Sequence, residues 1–118
     1  DCVSDPYVAI QQLIDCGVDR ILTSGLQPTA LQGCELLNHL HFKFGEQVEI
    51  LAGSGINVDN IETLRERTGI HQFHGSCKTW RKDPTTTVGN MSYAYHENDD
   101  YDCVSTENVC RVVQLLEK

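Results

Sequence analysis

The sequence predicts an α/β chain of successive βα units, a stretch of a parallel α/β barrel, and three observations carry that expectation. Helix starts and stops recur along residues 1–76, and each stop is followed by a short apolar strand. Strands alternate with helices of roughly 10 to 15 residues, the pattern of a parallel sheet joined by right-handed crossovers. The strand residues also sort into one greasy row and one graded polar row.

Asp5 followed by Pro6 marks the first helix start. The carboxylate can accept from free backbone N–H groups, and proline is tolerated at the first helical position. Ile10, Leu13 and Ile14 supply the apolar face, and Gly17 can take the left-handed conformation that ends the helix. A strand is expected over residues 18–23. A second helix should begin near Thr29 and turn Leu31, Cys34, Leu37 and Leu40 inward, before Gly45 and a strand over residues 48–52. In the third unit Asn57 is the expected cap of a helix holding Ile61 and Leu64. Gly69 stops that helix, and residues 70–74 form the next strand. Residues 17–24 and 69–76 also run parallel in sequence, as a shared structural job would require.

Because successive strand side chains face opposite ways, aligning the strands separates their two faces. Ile21, Thr23, Val48, Ile50, Ala52, Phe73 and Gly75 would pack beneath the helices. On the other face Arg20, Glu49 and Gln72 form a polar level, Leu22, Leu51 and His74 the next, and Ser24, Gly53 and Ser76 the tips. An open sheet buried on both faces rarely stacks Arg, Glu and Gln on three neighbouring strands, whereas a barrel interior can. Arg20 and Glu49 are expected to pair structurally near a barrel floor, with any ligand at the opposite, strand-end side.

At 118 residues and 40% hydrophobic content, one domain over residues 1–118 is expected. The net charge of −8 argues against a phosphate-backbone binder and hence against nucleic acid. No apolar stretch approaches the roughly 20 residues of a membrane span, and the N-terminus lacks signal-peptide regions. The chain therefore reads as cytoplasmic, with a nuclear location open for a eukaryotic source, and as free of membrane partners. Six cysteines, with Cys16 and Cys34 inside helical patterns, are expected as reduced thiols acting as small buried hydrophobes.

The strand ends 21–25, 50–56 and 74–76, in this order and spacing, together with Ala30-Leu31-Gln32-Gly33, resemble the CutC copper-homeostasis family. The likeness covers residues 1 to about 96, including Asp1 and Asn60. It implies a (β/α)8 TIM barrel of which this chain is the C-terminal part, strands six to eight with flanking helices. The N-terminal strands would be absent, as a chain opening without methionine on a helix-capping segment suggests. Three strands cannot close a barrel, so an unpaired edge is expected on the first, and the 118 residues alone should not form a stable monomer. The resemblance also implies a homo-oligomer, dimer or tetramer, in the full-length protein.

After Ser76 the match loosens, with Cys77 where the family more often has a small residue. Residues 78–102 are expected as a long loop, with Trp80, Tyr93, Tyr95 and Tyr101 to pack with. Glu97, Asp99, Asp100 and Asp102 make its end acidic without the spacing of a calcium loop. A closing helix over residues 106–117, capped by Ser105, should turn Val109, Val112, Val113 and Leu116 inward.

Three functions are open. The resemblance implies binding or handling of the copper ion, as copper(I), which prefers thiolate, thioether and imidazole ligands. Cys-x-x-Cys is absent, His39 and His41 point apart on a helix, and His71 and His74 face opposite sides of a strand. His74 with Cys77 is the best local candidate pair, and a buried, hydrogen-bonded structural histidine is the alternative role for His74. A second reading is a TIM-barrel enzyme, or its relic, that binds a small phosphate-bearing molecule. Ser24, Gly25, Gly53, Ser54, Gly55, Gly75 and Ser76 are the candidate anion-binding residues, since glycines let backbone N–H groups approach oxygens. The same residues could instead serve tight turns. No catalytic set can be assembled from the sequence, so the enzyme question stays open. The third reading is a non-catalytic oligomeric regulatory subunit.

Overall fold

The computed structural model describes residues 1–93 and 100–118. Asp5 lies in extended backbone, and its carboxylate accepts from the Tyr7 and Val8 N–H groups at 2.9 and 3.1 Å, opening α1 (Pro6–Asp15) as the Asp-Pro pair dictates. Gly17, at φ 76°, turns the chain toward β1 (Arg20–Thr23). β2 (Glu49–Gly53) and β3 (Gln72–His74) complete a parallel sheet of order β1-β2-β3, so the chain is α/β with β1 at an edge.

Two helix starts differ from expectation. The helix α2 (Cys34–Phe44) begins at Cys34 rather than near Thr29, because residues 30–33 form a turn in which the Gly33 N–H donates to the Thr29 carbonyl at 3.1 Å. Leu31 therefore lies outside the helix and is exposed rather than turned inward. Asn57 caps a turn instead of the helix: its side chain accepts from the Asp59 N–H at 2.9 Å, and α3 (Ile61–Thr68) starts after Asn60. Gly69 ends α3 in the left-handed region, as expected.

The core sits on one face of the sheet. Val48, Ile50 and Ala52 from β2 and its approach are buried with Leu37, Leu40 and Phe44 of α2 and Ile61 and Leu64 of α3. Each large side chain buried here contributes about 1.5–3 kcal/mol of transfer free energy. The greasy row was thus legible as a row.

The polar row is corrected in two respects. Its strands are staggered: Arg20 pairs with Glu49 and Leu22 with Leu51, but Gln72 lies opposite Leu51 and His74 opposite Gly53. The third strand is slipped by two residues from the expected levels, which preserves the face of every side chain because the strand period is two. The Arg20–Glu49 ion pair forms, with Nη2 2.6 Å and Nε 2.7 Å from Oε2, and Gln72 donates to the other Glu49 oxygen. It is not enclosed. The two side chains are 54% and 47% exposed, because no other strand joins this sheet among the described residues.

Residues 78–102 are not a structureless loop. β4 (Lys78–Lys82) pairs antiparallel with β7 (Asp100–Val104), and between them lie a 3-10 turn (Pro84–Thr86) and the short strands β5 (Thr87–Val88) and β6 (Met91–Ser92). A ladder pairs backbone groups that a long loop would leave to water, and Thr79, Trp80, Tyr101 and Val104 favour strands. Tyr95, Glu97 and Asp99 lie outside the described residues. Ser105 caps α4 (Thr106–Leu116) by accepting from the Asn108 N–H at 3.2 Å. Val112, Leu115 and Leu116 reach the core, while Val109 and Val113 are exposed, so the docked face is rotated from the expected one.

All six cysteines are free thiols, and Cys34 is buried. Cys16 is exposed at the end of α1, contrary to its expected burial, because it follows the last turn that packs on the core. Among the described residues no helix is long and apolar enough to cross a membrane.

Candidate functional site

The loops at the C-terminal ends of β1 and β2 are fastened to one another by hydrogen bonds. At β1 the Asp1 carboxylate accepts from the Thr23 hydroxyl at 2.6 Å, from the Ser24 N–H at 3.0 Å and from the Leu26 N–H at 3.2 Å. An anion already occupies these donors. The Ser24 hydroxyl donates to the Gln27 carbonyl at 2.7 Å, and the Gly25 N–H donates to Thr23 Oγ1 at 3.0 Å. Ser24 and Gly25 therefore brace the turn, and what binds there is the chain's own carboxylate.

Gly25 and Gly33 are needed for a close backbone approach. A Cβ on Gly25 would fall far inside contact distance of the Gly33 carbonyl, and one on Gly33 would meet the Ser24 carbonyl just as badly. That approach closes the turn between β1 and α2.

The β2 end is stitched to the same turn. The Ser54 hydroxyl donates to the Pro28 carbonyl at 2.6 Å, and the Ser54 carbonyl accepts from the Ala30 N–H at 3.0 Å. Asn60 fixes the other side, donating to the Gly55 carbonyl at 2.7 Å while its Oδ1 accepts from the Asn57 N–H at 3.0 Å. Gly53 is buried, and a Cβ there would collide with the Leu22 side chain. Leu22 stays opposite Leu51 as expected, while His74 lies opposite Gly53, over which the Leu22 side chain leans.

At β3 the side chains turn outward. His74 is exposed and makes no hydrogen bond among the described residues, so it is not the buried structural histidine that the sequence left open. Gly75 and Ser76 are also exposed, and Cys77 is half-buried at φ 47°. No group of three or more His, Cys, Asp or Glu side chains placed to hold a metal ion is present among the described residues. His39 is exposed on α2, while His41 lies against Gly45 and Gly69 with Nδ1 buried and unpartnered.

Two features of the site were missed in sequence. Asp1 acts on residues more than 20 positions away, beyond any local motif. Leu26, Ser54 and Cys77 adopt positive φ, one after each strand. Left-handed backbone at an L-residue costs about 1–2 kcal/mol, and non-glycine residues give no warning of it.

Comparison with known proteins bears on the same residues. The model of the CutC family matches residues 1–79. A family protein CutC from Xylella fastidiosa is 33% identical over 98% of this chain and 43% of its own length. One from Treponema denticola is 31% identical over 98% of this chain and 49% of its own length. The chain thus spans less than half the length of these relatives. The crystal structure of the putative copper homeostasis protein CutC from Streptococcus agalactiae is similar with a TM-score of 0.57 and 28% identity, over 61% of this chain and 35% of that one. On the match that runs from Asp1 through the ends of all three parallel strands, the chain belongs to the CutC family.

Proposed function

We propose that the chain is part of a cytosolic copper homeostasis protein, and that its strand ends form one side of a mouth that takes cuprous ion. In this reading the fold is a (β/α)8 barrel, β1, β2 and β3 are its sixth, seventh and eighth strands, and the full-length protein is a homo-oligomer. The observation that carries the proposal is the exposed imidazole of His74 at the end of β3, three residues before the thiol of Cys77, in a chain of this family. Imidazole and thiolate are donors that cuprous ion accepts. Segments preceding Asp1 would supply any further donors.

Anaerobic titration with cuprous ion against a coloured competing chelator tests the reading. The protein should bind copper stoichiometrically, and a His74→Ala, Cys77→Ser double variant should lose that binding. Stoichiometric binding unchanged in the double variant would remove this pair as the seat, and no binding in either would remove the copper reading itself.

A further inference from the structure

A cavity of about 380 Å³ lies where the β2–α3 loop, the link from β3 into β4 and the first half of α4 meet. Ser76, Lys78 and Arg111 line it on its polar side, Ile56 and Val112 supply apolar wall, and Asp59 contributes a carboxylate. In a protein of net charge −8, two basic residues among the lining against a single acidic one give this cavity a local excess of positive charge.

Those cations are not consumed by the protein. Among the described residues the one ion pair is Arg20–Glu49, so Arg111 has no carboxylate within bonding reach. The Lys78 ammonium lies 5.0 Å from the centre of the Trp80 ring, a contact that holds its charge without saturating its three donors. The cavity also opens at the C-terminal ends of parallel strands, where α/β sheets take their ligands.

Size and lining set the ligand class. The volume is in the range of roughly 300–1,000 Å³ typical of small-molecule sites, more than a free phosphate fills. A guanidinium fork beside an ammonium suits phosphate oxygens. The apolar wall suits a small organic body.

We infer that this cavity binds a small organic phosphate monoester, the phosphate held by Arg111, Lys78 and the Ser76 hydroxyl, and the organic part lying against Ile56 and Val112. Cys77, half of the copper pair, also lines this cavity, but the phosphate contacts inferred here use other residues and do not depend on the copper reading.

The test is titration of the full-length protein that carries this chain with phenyl phosphate and with inorganic phosphate, followed by NMR in metal-free, reducing buffer at fixed ionic strength. Both should bind saturably, phenyl phosphate several-fold more tightly. Arg111→Gln should weaken binding by roughly tenfold or more, as loss of a charge-assisted hydrogen bond does. Asp59→Asn should strengthen it, a gain that damage to the fold cannot mimic. Arg67→Gln, exposed on α3 outside the cavity, should match the parent. No saturable response, an Arg111→Gln affinity equal to the parent's, or equal losses in Arg111→Gln and Arg67→Gln would each overturn the inference. Because copper is absent throughout, failure here leaves the copper reading standing.

Discussion

The Thr23 hydroxyl donates to the Asp1 carboxylate at 2.6 Å and accepts from the Gly25 N–H at 3.0 Å, so one side chain at the end of β1 joins the first residue of the chain to the turn that leads into α2. The strand end is thereby fixed by a carboxylate with three donors. Asp1→Ala should destabilise the protein by about 1–3 kcal/mol, the range for removing a charged partner from hydrogen-bonded groups. A urea midpoint equal to the parent's would show that the carboxylate does not hold the turn.

The Gly25–Gly33 approach makes a sharper demand. Gly33→Ala should cost roughly 4 kcal/mol or more, since its Cβ would meet backbone rather than a movable side chain. Gly17→Ala, with open space around it but φ of 76°, should cost only about 1–2 kcal/mol. Denaturant titration of the two variants side by side checks the order, which reverses if the close approach relaxes.

For the Arg20–Glu49 pair, half-exposure decides the magnitude. Solvent screening reduces such a pair to about 0–1 kcal/mol, so Glu49→Gln should shift stability by less than about 1 kcal/mol in this chain. A larger loss by thermal unfolding would mean that the face is covered in solution.

One titration has a defined sign. The hydroxyl and then the backbone N–H of Thr85 hold the Asp83 carboxyl below its usual value. A lowered folded-state value contributes stability above the unfolded pKa that is lost as pH falls through the folded one. Thr85→Ala should raise the Asp83 pKa toward an ordinary carboxylate, read by NMR pH titration. An unmoved midpoint would deny the Thr85 hydroxyl that role.

What the sequence made legible was whatever local chemistry dictates. Asp5-Pro6, Gly17 and Gly69 place their helix ends because capping and left-handed backbone are properties of those residues, and Ile50 and Ala52 declare the buried face by alternation. The two-residue slip of β3 was not legible, because a slip of two leaves every face unchanged and so leaves no trace in the pattern. The pairing of β4 with β7 joins residues far apart in sequence, and the exposure of Glu49 depends on what lies over its face of the sheet, which no local pattern encodes. At the site, glycines and serines looked like ligand-approach residues, but Ser24 and Ser54 spend their hydroxyls on Gln27 and Pro28. His74, Gly75 and Ser76 are exposed, as Ser54 and Gly55 are, and nothing in the sequence distinguished an exposed imidazole at position 74 from a buried one.

The copper reading is tested most directly by X-ray absorption at the copper edge on the protein loaded with one equivalent of cuprous ion under reducing conditions. It predicts a sulfur shell together with imidazole scattering, with the sulfur shell lost in Cys77→Ser and the imidazole scattering lost in His74→Ala. Spectra that are the same in the parent and both variants would contradict it.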